Sequence, residues 1–359
     1  MRSMLSARAQ GAASALLLAA AIVGWPGGAP AEPPDGASPS GASTVSVFEG
    51  TPIHFDPEHA DADPADDVTH EDNGRVAVRT VALPDSPAGT RIIARVATRP
   101  IPKDEVSVHD PWDRAGNVRL SLPGLPDIEI VKFVTAYGGV TEHEVDVTQL
   151  APVLRGECVF KGFVDTWLSP AWTIDFSLTF EHGEGEPEER AEGGPEPAPD
   201  WVLPLLHEPS ASAESLGETG YEAGVEVPDG AGRVLLYYLV SGHCTDGRDE
   251  DEFVSKDNVI SVDGVVVERF RPWRDDCRRF RDINPYTRRW SDGWWSSDYS
   301  RSGWCPGDWV PPVTLDLTDH LGPGPHAVRF NIEGVRPRGD DDHLGYWRVS
   351  SYLVGWEGE

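Results

Sequence analysis

The chain is 359 residues long and carries 60 acidic against 30 basic side chains, a formal net charge of −30. So acidic a surface excludes sequence-independent binding to nucleic acid, which needs basic side chains to displace counterions, and docking to anionic lipid. A hydrophobic content of 39% at this length suits two domains, each able to bury a core of its own.

The elements follow in chain order. Residues 1–31 read as a secretory signal, with Arg2 and Arg8 at a positive start, an apolar stretch from Gly11 to Val23, and Ala29-Pro30-Ala31 as a small-x-small cleavage site. That stretch is shorter than the roughly 18 apolar residues of a membrane span, and none so long follows. The mature chain is therefore expected to be exported (extracellular or periplasmic), off the membrane after signal cleavage, and monomeric. Residues 32–44 are a flexible Pro/Ser/Gly/Ala lead-in, and residues 56–74 an Asp-rich loop. Strands are predicted at 76–81, 91–96, 128–134 and 172–180. The last has a clean period of two, with Trp172, Ile174, Phe176, Leu178 and Phe180 on one face. These strands belong to a first domain over 45–182.

Residues 183–200, acidic and rich in Pro and Gly, are the predicted linker to a second domain over 201–359. Strands resume at 233–240. Val259–Val262 and Val265–Phe270 flank Asp263-Gly264, a strong hairpin signal. Segments 313–317, 327–332 and 346–354 complete the set. No amphipathic helix longer than a turn is evident. The fold class is all-β, two antiparallel sandwich or jelly-roll-like domains.

All four cysteines lie beyond the signal, at 158, 244, 277 and 305. An even count in an exported chain favours disulfides, and of the three possible connectivities Cys277–Cys305 is preferred because it closes a Trp-rich loop. Cys158 and Cys244 either bridge the two domains or stay reduced. No C-x-x-C, H-E-x-x-H, P-loop, G-x-S-x-G or helix-opening G-x-G-x-x-G is present, and the 11 histidines form no H-x-H or i,i+4 pair. Zinc hydrolysis and copper oxygenation thus have no support, and no metal or cofactor is expected.

What remains is acids among aromatics and arginines. Asp113 lies between Trp112 and Arg114, where burial and charge could both tune a carboxylate, or where a turn is simply salt-bridged. Asp165 and Trp167 share a face of an extended segment. Asp249, Glu250, Asp251 and Glu252 read as a solvated loop or a calcium site lacking EF-hand spacing, and Gly339–Asp342 is equally ambiguous. Segment 290–309 holds Trp290, Trp294, Trp295, Trp304 and Trp309, beside Tyr299 and Arg301. It reads either as an exposed platform for sugar rings or as a minicore stapled at Cys305.

Taken together, these segments resemble the peptide-N-glycosidase F family of secreted bacterial amidases. The likeness rests on Trp112-Asp113-Arg114-x-x-Asn117-Val118, on Phe133-Val134-Thr135-x-Tyr137, on Asp146-Val147-Thr148 and on Asp165-Thr166-Trp167-Leu168. It continues through Ser241-Gly242-His243, Glu252-Phe253 and Arg301-x-Gly303-Trp304-Cys305-Pro306-Gly307, and covers about 75–182 and 201–356 with gaps.

The resemblance implies two sandwiches side by side with the active site in the cleft between them. It implies hydrolysis, without a metal, of the amide joining Asn to the first N-acetylglucosamine of an N-linked glycan, so that N-glycosylated proteins or glycopeptides are the partners. Carried over, Asp113 is the principal catalytic carboxylate, supported by Glu252 and Asp165. Trp112, Arg114, Trp167, His243, Arg301 and Trp304 hold the core sugars. Two departures stand out. The family usually has Glu where this chain has Asp165, which withdraws the carboxylate by one C–C bond, roughly 1.5 Å. The second acid is not bracketed by two cysteines, so Glu250 is the alternative to Glu252. The extra carboxylates beside it predict raised pKa values and activity shifted toward acid. A non-catalytic glycan-binding double sandwich is the alternative function. A dinuclear-copper monooxygenase of related architecture is a third, for which the histidine ligands are missing.

Overall fold

A computed structural model describes residues 41–58, 67–104, 107–182, 197–245, 250–340 and 342–358. The predicted signal sequence, most of the predicted lead-in and most of the predicted linker lie outside the described residues. Among the described residues, seventeen strands form four antiparallel sheets. In the first half, β1 (Ser43–Ile53), β9 (Trp172–Glu181), β4 (Arg91–Pro100) and β7 (Thr141–Asp146) make one sheet, in that order. The facing sheet runs β2 (Thr69–Glu71), β3 (Val76–Leu83), β8 (Gly156–Val164), β5 (Ala115–Ser121), β6 (Ile128–Val134). In the second half, β10 (Trp201–Ser212), β17 (Gly345–Glu357), β12 (Ala231–Cys244) and β15 (Val313–Asp316) face β11 (Tyr221–Val227), β16 (Gly324–Ile332), β13 (Asn258–Val262) and β14 (Val265–Phe270). The double-sandwich fold class is thus what the structure shows. The first strand starts two residues inside the predicted lead-in. The Asp-rich stretch contains the short β2.

The period-two reading of β9 holds. Trp172, Ile174, Phe176, Leu178 and Phe180 are each at most 1% exposed, while Thr173, Asp175 and Ser177 on the other face are half-buried. Each such large apolar side chain contributes about 1.5–3 kcal/mol by leaving water. Strand β6 behaves differently, for all seven of its residues are buried. One face packs into the first sandwich. The other meets the β10-β17-β12 sheet, whose Val202, Leu235, Leu239, Tyr352 and Val354 join the same apolar cluster. Two charges lie on this seam. Lys132 Nζ is 3.2 Å from Glu129 Oε2 and donates to the Arg348 carbonyl at 2.9 Å, tying β6 to β17.

Segment 307–310 reinforces the seam, pairing along β6 through Val134 N to Asp308 O (3.0 Å) and Val310 N to Lys132 O (2.7 Å). Gly303 (φ +86°) and Gly307 (φ +89°) bend the Gly-Trp-Cys-Pro-Gly turn in a region that disfavours other residues. Cys305 is bonded to Cys277, with Cα atoms 5.1 Å apart. Cys158 and Cys244 are thiols, not a bridge between sandwiches.

Candidate active site

Antiparallel pairing brings chemically useful strand ends to one mouth. Asp113 and Arg114 immediately precede β5, and Asp165 immediately follows β8; Asp165 N donates to Ala115 O at 2.9 Å, which brings both acids to the same end of the sheet. In the second half, His243 on β12 is paired with Tyr346 on β17, two residues before Arg348. These ends wall a cleft of about 890 Å³. Asp113, Arg114, Asp165, Trp167, His243, Glu252 and Trp304 all line it.

At the base of the cleft, Arg301 joins acids from both halves. The guanidinium is 0% exposed; its Nε is 3.1 Å from Glu252 Oε1 and its Nη2 is 3.8 Å from Asp113 Oδ2. Its remaining donors go to Tyr299 O (2.9 Å), Ser296 O (2.8 Å) and the Tyr137 hydroxyl (3.4 Å). It stacks on Trp304, 4.7 Å from the ring centroid, and on Phe253 at 5.0 Å. Two carboxylates thus share one cation in a buried place. Asp113 Oδ2 has no hydrogen-bond partner. Burial raises the Asp113 carboxyl above its ordinary range against the pull of Arg301, Tyr137 and Arg114. Burial, with the neighbouring Asp113 charge, pushes Glu252 up to about 7 despite Arg301. Tyr137, buried beside Asp113, is raised well above its usual value and stays a phenol.

Asp165 is wired otherwise. Arg75 Nη1 approaches one oxygen at 3.0 Å and Arg348 Nη2, from the second half, binds the other. Arg75 also lies over Trp167, 4.5 Å from its centroid, and that indole is 56% exposed. Trp167 is therefore an open stacking face backed by a cation.

The remaining residues predicted from sequence divide. Trp304 is buried, with its Nε1 donating to Gly242 O at 2.8 Å and its ring stacked on His243. Of the two readings of the Trp-rich segment, this part is a stapled minicore, whereas Trp290 and Trp294 are exposed. Burial holds the His243 imidazole well below its usual pKa, so it is neutral at pH 7. Its Nε2 is 2.8 Å from Ser241 Oγ. Arg301 lies beneath the cleft rather than on its wall. Arg114 lines the cleft but spends its fork on Asp110, at 2.9 and 3.1 Å. Trp112 lines not this cleft but a smaller neighbouring pocket.

In its described part, the acidic run is neither a solvated loop nor a calcium site. Asp251 is fully buried, accepting from Trp347 Nε1 (2.8 Å) and Arg336 N (2.9 Å). Gly345 makes room for it, since a Cβ there would meet Asp251 Oδ2 at 1.7 Å. Glu250 turns away to Lys256 at 2.8 Å, and so Glu252 alone of these three reaches the cleft. Asp249 lies outside the described residues. The stretch Gly339–Asp342 is in its described part an exposed turn, closed by Asp342 N to Gly339 O. Among the described residues, no group of three or more His, Cys, Asp or Glu is placed to hold a metal ion, and no helix is long and apolar enough to cross a membrane.

Sequence reading missed Asp110, which also accepts from Thr166 Oγ1 (2.7 Å) and Trp172 Nε1 (3.3 Å) while fully buried. It missed Arg75 and Arg348 as well. Arg348 left a signal, for a lone charge inside an apolar strand needs a partner.

Comparison with known proteins fits this geometry. The family model described as peptide-N-glycosidase F, C terminal, matches residues 214–354. The peptide-N(4)-(N-acetyl-beta-D-glucosaminyl)asparagine amidase F of Elizabethkingia miricola is 22% identical over 264 residues, 68% of this chain and 69% of that protein. Among solved structures, PNGF-II aligns with a TM-score of 0.75 at 24% identity over 89% of this chain, which spans only 65% of the PNGF-II chain. PNGase F, a glycosylasparaginase from Flavobacterium meningosepticum, aligns with a TM-score of 0.67 at 17% identity, over 89% of this chain and 97% of that one. The second half thus matches the C-terminal family model of peptide-N-glycosidase F, and the fold across both halves is similar to that of PNGF-II and PNGase F.

Proposed function

We propose that the protein is a peptide-N-glycosidase. It hydrolyses the amide between Asn and the first N-acetylglucosamine of an N-linked glycan, leaving Asp in the peptide and releasing a glycosylamine. The observation that carries this reading is the meeting of Asp113 and Glu252, one from each sandwich, across Arg301. An amide is a weak electrophile with a poor leaving group. Hydrolysis needs one group to take a proton from water and another to give a proton to nitrogen. Asp113, with Oδ2 lacking a partner, is the acceptor toward water. Glu252, about half protonated at neutral pH, is the donor. Water oxygen bonds to the carbonyl carbon, the C–N bond breaks, and the amine leaves with the donated proton. Repulsion between the two buried carboxylates favours their holding a proton between them, while Arg301, which does not itself titrate, keeps both in place.

Trp167 offers a ring face to a sugar, with Arg75 behind it. Export and glycoprotein substrates belong to the same reading. Its test is digestion of a glycopeptide in heavy-oxygen water followed by mass spectrometry. The expected product is intact glycan plus peptide in which Asn has become labelled Asp. A peptide that keeps one N-acetylglucosamine would make the protein a glycosidase. Retention of the glycopeptide without release would make it a binding protein.

A further inference from the structure

The reading above uses only one side of Asp113. On the other side of the Trp112–Asp113 peptide lies a second pocket of about 350 Å³, lined among others by Trp112, Tyr286, Arg288, Arg289 and Trp290. Its inner wall is Tyr137 and Ser296, the residues whose oxygens also take Arg301 Nη2. The two cavities are thus back to back across the Asp113–Arg301–Tyr137 group. An N-glycosylated Asn is itself two-sided, with sugar on the amide nitrogen and polypeptide beyond the carbonyl. If the large cleft takes the sugar, the polypeptide leaves the reacting amide on the side of the small pocket. Trp112 is next in sequence to Asp113, about 3.8 Å between Cα atoms, so the pocket is within a residue or two of the glycosylated Asn.

Its chemistry is selective. Arg288 lies over Trp112, 5.4 Å from the centroid, and Arg289 over Trp295 at 5.6 Å. Both arginines are exposed, and among the described residues neither has a carboxylate in ion-pairing range. The acids nearby are engaged, Asp292 by the Tyr299 hydroxyl and Trp294 N, Asp298 by Arg281. Two unpaired guanidinium groups on an aromatic floor, in a chain of net charge −30, make a local anion-binding spot on a surface that otherwise repels acids.

We propose that this pocket is the polypeptide subsite and that it favours an acidic residue flanking the glycosylated Asn. This rests on the amidase reading. The test uses two glycopeptides that carry the same desialylated glycan and differ only in Asp or Lys beside the glycosylated Asn. Wild type is expected to favour the Asp peptide about five-fold in kcat/KM, mostly through KM, the scale of one or two exposed ion pairs. The double substitution R288E/R289E is expected to invert that preference. Equal rates on both peptides in wild type, or a preference that survives the double substitution, overturns the subsite and leaves the amidase intact. A double variant that changes discrimination between sialylated and desialylated glycans, and not between peptides, also overturns it. Release from neither peptide overturns the amidase reading and the subsite with it.

Discussion

The cleft holds two carboxylate poles that differ in wiring rather than in depth. The side chains of Asp113, Glu252 and Asp165 are 14%, 15% and 17% exposed, too similar to separate them. At the first pole two acids share one arginine; at the second one acid is shared by two arginines. At the first pole burial raises both carboxyls and, with the nearness of Asp113, carries that of Glu252 to about 7. At the second, both oxygens of Asp165 are occupied, and Arg75 also holds Asp72. Which strand ends the sandwiches bring together thus decides which carboxylate keeps an oxygen free of hydrogen bonds and which has both oxygens tied to arginine. The departure at Asp165 then reads as a positioning role. A shorter acid is met by Arg75 from one half and Arg348 from the other.

The largest expected effect tests this contrast directly. Asp113→Asn removes an underpaired buried carboxylate, the proposed proton acceptor. It is expected to cut kcat about a thousand-fold and to raise the melting temperature. Asp165→Asn takes the carboxylate from the nearly buried Arg348 and leaves Arg75 with Asp72 alone. It is expected to lose about 3 kcal/mol of stability while costing only about ten-fold in turnover, felt mainly in KM. Melting curves and steady-state kinetics on the two variants check the opposite signs. Stability changes of the same sign would sink the distinction. Next in size is the disulfide, which staples the loop bearing Arg301 and so supports the first pole and not the second. Closing a loop of 28 residues contributes about 3–4 kcal/mol. The C277S/C305S variant is expected to lose that much in urea unfolding, and more activity than D165N.

Much of this was legible because burial writes a period into sequence. Strand β9 alternates as read, and Asp263-Gly264 turns the β13–β14 hairpin with φ of +50° and +80°. What escaped reading lacks that period. Edge strand β7 is mostly polar, held to β4 partly by pairs such as Arg95–Glu144. Edge strand β10 contains Pro204 and Pro209 and two register shifts. In the site, Asp113 and Glu252 were reached through family-like motifs, not through periodicity. Their sharing of Arg301 is a long-range fact that no local pattern encodes. The acidic run misled for the same reason. Composition suggests solvent, but Asp251 is buried because Trp347 and a bare Gly345, about a hundred residues away, make a place for it.

The smallest effect concerns protons at the first pole, and its sign separates the two acids' roles. Glu252 holds its proton up to about pH 7 in the folded chain, against an ordinary value of 4.5. If it donates to the leaving nitrogen, kcat/KM falls as pH rises above about 7, and Glu252→Gln removes that limb while lowering the plateau. A limb falling toward acid instead would make Glu252 the base and exchange its role with that of Asp113. Stability carries the same proton with a definite sign. Between about pH 4.5 and 7 the folded chain binds more protons at this site than the unfolded chain does. Unfolding free energy therefore declines across that window and levels off above it, by at most about 3 kcal/mol from this residue. Many exposed acids here have lowered pKa values and slope the other way, so the informative quantity is wild type minus Glu252→Gln, measured by denaturant at pH 5 and pH 8. That difference should favour wild type more at pH 5, because there the protonated carboxyl has lost the charge whose burial is costly. If it is the same at both pH values, Glu252 does not titrate between them and the asymmetry between the poles is one of geometry alone.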